Sequence, residues 1–229
     1  VNGYDVIEKK IATEDGKEQT AWSLYFNDNI GKIEDYPAYP YMEFYLYLYT
    51  SIMAPEIYAE LFHIMRNTNV GDEFHIYINS PGGDMSTLCS FSAVIEDTDA
   101  TVICHIDGEA DSAAFILAFM GDQIIFSEFS QMMTHNQRLG ISGTDMANLL
   151  KFTQNSTSVY RNMLEKYCSK VLTKQEINDI CMEGKEIHFT AEECANRLKK
   201  WEDTKKDEKN DNDTNRSDEH ERNQVQLLG

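Results

Sequence analysis

The stretch DGEADSAAF, residues 107–115, sets Ser112 after a glycine and an aspartate and at the head of the apolar run AAFILAFMG. A serine at a helix mouth is a good N-cap. It is also where a nucleophile can work, because the first helical turn presents unpaired N–H groups and the positive end of the dipole. Acyl transfer by serine needs a base within reach, a group that orients the base, and two donors for the oxyanion. The Ala113 amide is one candidate donor. The turn SPGG (80–83) offers a second at Gly83, where backbone can approach a ligand closely. Among six histidines, His135 ends the strand-like run QMMTH and is the best-placed base. His75 and His105 fall inside strands, His63 on a helix, His188 in a turn before the last helix, and His220 in the tail. The orienting carboxylate is Glu186 or Glu183, and spacing alone does not choose between them. Asp111, beside the serine, either faces solvent and supports the helix start or points inward and repels an oxyanion.

These residues need a scaffold, and the surrounding pattern supplies one. From residue 73 the chain reads EFHIYIN as a strand, SPGG as a turn and DMSTLCSFSAVIEDT as a helix. TVICHID, DGEA and DSAAFILAFMG repeat the order, and QIIFSE and QMMTH add two short strands. Strands alternating with helices of this length predict parallel βαβ units. Their apolar strands fit a sheet covered on both faces. Strand-to-helix turns gather at one edge of such a sheet, where chemistry usually sits. A long helix is predicted over 143–168, capped by Thr144 or Asp145. TKQEINDICMEG and FTAEECANRL are shorter helices, the latter with a Thr190/Glu193 capping box.

The 229 residues are 41% hydrophobic, enough for one sizeable core. Residues 1–20 are polar and predict a mobile arm, 21–198 the folded domain, and 199–229 a disordered acidic tail. AWSLYFNDNIG (21–31) reads as a strand and a turn. YPAYPYMEFYLYLYTSI (36–52) reads as an aromatic packing face, or a surface for another subunit, that could continue as a helix from Met42. The net charge of −19 argues against nucleic acid and anionic membranes as partners. No apolar run approaches the ~20 residues of a membrane span, and VNGYDVIEKKIATEDG has no signal-like apolar region. Five separated cysteines without a C-x-x-C pair predict free thiols in a reducing, cytoplasmic setting. The histidines show no zinc-like spacing with them.

YINSPGG (77–83), GEADS (108–112) at gapless spacing, and MTH (133–135) together resemble the Clp protease proteolytic subunit over roughly residues 21–198. The resemblance implies a crotonase-like α/β fold of stacked ββα units with a protruding handle helix, matched by 143–168. It implies a serine endopeptidase that needs no cofactor and works inside a homo-oligomeric ring of seven or stacked sevens. Ser112 would be the nucleophile, His135 the base, and Glu186, four residues before the capping Thr190, the acid. Gly83 and Ala113 would supply the oxyanion hole. The family usually has Asp at Glu186 and a small residue at Asp111. Members that dock a hexameric ATPase unfoldase use an aromatic pocket. Of it Tyr77 remains, while His75 and Asp97 replace aromatics. Such divergence resembles bacteriophage members, several of which process head proteins. Two other readings are a catalytically idle ring subunit beside an active paralogue and a crotonase-type acyl-CoA enzyme.

Overall fold

The computed structural model describes residues 5–12, 18–26, 41–138, 140 and 145–206. Among the described residues, eight strands form one sheet: β1 (Asp5–Ala12), β2 (Glu18–Phe26), β3 (Glu43–Leu48), β4 (Glu73–Ser80), β5 (Thr101–Asp111), β6 (Gln123–Phe126), β7 (Gln131–Thr134) and β8 (Ile187–Thr190). The order is β1-β2-β3-β4-β5-β7-β8, with β6 also paired to β5. From β2 to β5 neighbours run parallel, as do β6 and β7 on β5; β1 on β2 and β8 on β7 are antiparallel. The parallel centre expected from the βαβ pattern is present.

The helices are α1 (Ala59–Met65), α2 (Met85–Asp97), α3 (Ala113–Ala118), α4 (Met146–Met163), α5 (Lys174–Asn178) and α6 (191–206). Phe74, Ile76 and Ile78 of β4 and Val102, Cys104 and Ile106 of β5 are almost wholly buried. They pack in one core with Leu61 and Met65 of α1, Phe91 of α2 and Phe115 of α3. The expectation of a sheet covered on both faces does not hold for the single chain. β3 and β4 alternate buried with half-buried residues, so the described helices cover one face. The other carries an aromatic row: Tyr77 stacks on Tyr47 at 4.9 Å and on His105 at 4.3 Å, and Tyr45 on His75 at 5.0 Å.

The long helix is present, with its cap at Asp145, whose carboxylate accepts from the Asn148 amide at 2.9 Å. It runs on through a π-helical turn, Leu164–Cys168. Only Tyr160 and Met163 of α4 are buried, while Met146, Leu150, Phe152 and Val159 stay exposed. The helix therefore packs at its C-terminal end and projects at the other. Thr173 and Glu176 form a reciprocal capping box on α5, and Thr190 and Glu193 do the same for α6, each worth about 1 kcal/mol.

Four further expectations shift. Residues 5–12, read as part of a mobile arm, form β1 and pair with β2. The stretch from Met42 is a strand, because Phe44, Leu46 and Leu48 at every second position face the core. His188 lies in β8, not in a turn. α6 extends to 206, eight residues into the stretch read as tail. The rest of that tail, 207–229, lies outside the described residues, as do 36–40 of the tyrosine-rich stretch and the turn after β2.

Candidate active site

Ser112 is delivered by an irregularity at the end of β5. Pairing runs from Ile78↔Ile106 to Ser80↔Ala110, two steps along β4 against four along β5. The two extra residues form a bulge, a device that re-aims a strand end. The Asn79 side chain fills it by accepting the Glu109 amide at 3.0 Å. The same point divides the strand edge: Ile103–Ile106 pair with β6, whereas Glu109–Asp111 pair with β7. The Ser112 amide then donates to the Met133 carbonyl at 2.8 Å. That bond holds the serine two residues from His135.

At Ser112 the backbone turns sharply into α3 with φ 56° and ψ −117°, and it is the one non-glycine residue at positive φ among the described residues. The cap expectation is not met through its side chain, which makes no capping bond; the hydroxyl is left for other work. The SPGG turn packs directly against this corner. A Cβ on Gly82 would lie 2.8 Å from the Ser112 Cβ and 2.9 Å from the Ala113 nitrogen. Gly83 pairs with Ile52 in an isolated parallel bridge: Ile52 donates to the Gly82 carbonyl at 2.8 Å and accepts the Asp84 amide at 2.9 Å. In a parallel bridge the central residue's own N–H points to the opposite side, away from Ile52. Among the described residues, neither the Gly83 nor the Ala113 amide meets a backbone acceptor. Gly83 cannot carry a side chain, since its Cβ would come within 2.2 Å of the Ile52 oxygen.

His135 follows β7 directly. Its carbonyl accepts the Tyr160 hydroxyl at 2.5 Å, and the neighbouring Asn136 amide group donates to the Cys181 carbonyl at 3.1 Å. Tyr160 is 1% exposed, and burial pushes its phenol well above the ordinary range. Sequence reading missed this residue, since nothing local to it signals a link between the long helix and the His135 segment. Glu186 lies half-exposed just before β8, with its carboxylate 3.6 Å from Arg138. Glu183, the other sequence candidate, is exposed at the end of the π-helical turn Asp179–Glu183. Among the described residues no hydrogen bond joins Ser112, His135 and Glu186.

Asp111 sits in register with Met133 and, through it, His188. The adjacent row, Ala110, Met132 and Phe189, is buried. By strand alternation the Asp111 side chain stands on the opposite face, in a pocket of about 290 Å³ shared with Glu109 and His188. Burial and then the Glu109 charge raise its carboxyl above the ordinary aspartate value, against the pull of His188. With the folded value above the unfolded one, the ionised form costs stability at neutral pH, and the cost vanishes once pH falls below both values. Asp111→Asn is therefore expected to raise Tm at neutral pH, with the gap closing below about pH 3.9. Thermal melts across pH read this, and a gap constant with pH would refute it.

Of the pocket aromatics, Tyr77 stacks as described, His75 bonds His105 ring-to-ring at 3.0 Å, and Asp97 lies 3.5 Å from Arg66. All five cysteines are unpaired, four of them buried. No described helix is long and apolar enough to cross a membrane.

A family profile described as Clp protease matches residues 44–197, from β3 into α6. A solved peptidase structure from Plasmodium falciparum is similar, with a TM-score of 0.53 and 18% identity over 67% of this chain and 91% of that one. Identity at that level speaks to the fold alone. No curated protein is similar enough to count as a match. The profile spans two thirds of the sequence, and the SPGG turn, the Ser112 corner and the β7–β8 edge all fall inside it. The chain therefore belongs to the Clp protease family.

Proposed function

We propose that the chain is a serine endopeptidase. The observation that carries the reading is the Ser112 corner, a sharp turn packed on SPGG where the serine side chain caps nothing and, among the described residues, neither the Gly83 nor the Ala113 amide meets a backbone acceptor. His135 takes the proton from Ser112 Oγ as the serine attacks the peptide carbonyl. The Gly83 and Ala113 amides hold the oxyanion, and the imidazolium then protonates the leaving amine. Water hydrolyses the acyl-enzyme by the same route in reverse. Glu186 holds the imidazole tautomer after leaving Arg138, an exchange that costs little between exposed groups at 3.6 Å. Catalytic hydrogen bonds are often long before substrate binds. Among the described residues, Asn136 Oδ1 and Gln137 Nε2 are buried without partners, capacity that a bound peptide backbone could take up.

Tyr160 would act as a positioning residue by fixing the His135 main chain. Tyr160→Phe removes one hydrogen bond, worth about 1 kcal/mol. It is expected to lower kcat about fivefold with KM unchanged. A parallel rise in KM, or an unchanged kcat, would remove Tyr160 from this role.

Assembly as a homo-oligomeric ring is supported by the exposed apolar residues of α4, whose projecting end has no partner among the described residues. Sedimentation of the intact chain reads the assembly. Degradation behind an unfoldase and processing of phage head proteins would use the same chemistry. A polar His75–His105 pair and an ion-paired Asp97 support the second. Reconstitution with unfoldase and with head protein distinguishes them.

One observation favours an idle ring subunit: Glu186 pairs with Arg138 rather than with the imidazole. A fluorophosphonate probe decides. Stoichiometric labelling that maps to Ser112 supports the peptidase, and an assembled, folded but unlabelled protein would favour the idle subunit.

A further inference from the structure

A groove of about 780 Å³ lies between α5, the loop before it and α6, on a part of the molecule that the proposed chemistry does not use. Its lining holds five basic side chains, Lys170, Lys185, Arg197, Lys200 and Lys205, beside Trp201. In a chain of net charge −19 this concentration is unusual. The two carboxylates of the lining are already engaged. Glu176 takes Arg197 at 3.0 Å through both oxygens, and Asp179 takes Lys185 at 3.3 Å. Among the described residues, no carboxylate lies within ion-pair distance of Lys170 or Lys200. Arg197, Lys200, Trp201 and Thr204 recur at helical spacing, so α6 presents one stripe to the groove.

The chain continues directly from that stripe. Residues 207–229 carry seven acids against three bases and end in an apolar Val225-Gln-Leu-Leu. We propose that this groove is the docking site of the chain's own acidic tail, which reverses at the end of α6 and runs back along it.

The distances allow this. From residue 206 back to Arg197 is about 14 Å of helix at about 1.5 Å per residue. About five extended residues cover it. With a two-residue turn, Asp211 comes level with Lys200 and Asp213 with Arg197, and Trp201 gives the segment an amphipathic surface to lie on. The tether matters to the energetics. Held at an effective concentration of about millimolar, the tail can fill even a weak site. Charge supplies the attraction, so the contact should weaken as salt rises.

Fluorescence of Trp201 tests this, read in a Trp22→Phe background where it is the sole indole. Raising salt from about 0.01 M to about 1 M cuts the screening length from about 30 Å to about 3 Å. In the intact chain this is expected to shift Trp201 emission. In a chain ending at Lys206 it should not, until a synthetic peptide of residues 207–229 is added at low salt. The same peptide with its seven acids replaced by amides should fail to bind. Lys170→Glu with Lys200→Glu in the intact chain should reproduce the truncated emission. Identical emission from intact and truncated chains would overturn the proposal. So would an absence of saturable peptide binding up to about ten times the millimolar effective concentration, or equal binding of the amide-substituted peptide. None of these readouts depends on Ser112, so failure here is separate from failure of the peptidase reading.

Discussion

Replacing Ser112 with alanine is expected to reduce peptide hydrolysis by about a millionfold in kcat, leaving only what the oxyanion donors provide by themselves. The fold should survive. Ser112 is linked to its surroundings through its backbone, by the hydrogen bond its N–H donates to the Met133 carbonyl, and its side chain caps nothing. The measurement is steady-state cleavage of a fluorogenic peptide beside probe labelling and circular dichroism. The two expected results, lost turnover and lost label in an intact fold, must occur together. Residual turnover above about one part in a thousand would mean that another group attacks the carbonyl. In that case the coincidence of serine, turn and free amides would be structural only.

Gly82→Ala is expected to have the second largest effect, though Gly82 supplies none of the proposed chemistry. It has φ +91°, and a Cβ there would lie 2.5 Å from the Asp111 oxygen and 2.9 Å from the Ala113 nitrogen. Both are backbone atoms, so no rotamer change relieves the clash. The SPGG turn and the β5–α3 corner must move apart, and this shifts the Gly83 amide relative to Ser112. A displacement of about 1 Å costs about a hundredfold in rate, so kcat/KM should fall at least that far. Probe labelling should slow in proportion. Gly140→Ala is the control, because among the described residues a Cβ at Gly140 meets nothing within 4 Å. If Gly82→Ala retained full activity, the close approach of the two turns would be irrelevant to the site.

The parts of the site legible in the sequence were those written locally. Gly82-Gly83 demands a tight turn, an apolar run after Ser112 demands a buried helix, and the strand–turn–helix order repeats twice. Parallel pairing of β4 and β5 followed from that repeat. Other features depend on contacts distant in sequence. The two-residue bulge in β5 exists because Asn79, thirty residues earlier, reaches the Glu109 amide. Tyr160 meets His135 only through tertiary packing. The β3 stretch is a strand although MEFYLYLY places apolar residues at both strand and helix spacings, which short runs cannot separate. β8, at four residues, sits at the short end of strand lengths and owes its form to pairing with β7. α6 outruns its apolar content because good helix formers, with Glu and Lys among them, prolong a helix that Thr190 has started well.

The Ser112 backbone also sets a conflict between durability and chemistry. Its φ and ψ belong to territory that glycine enters freely and a serine does not, at a cost of about 1–3 kcal/mol. Thermodynamically, the chain would be better served there by a residue with no hydroxyl. Ser112→Gly is expected to melt roughly 2–4 °C higher for each kcal/mol regained, while doing no chemistry at all. A population selected for heat resistance alone should drift toward that glycine; retention of the serine would then register selection for turnover.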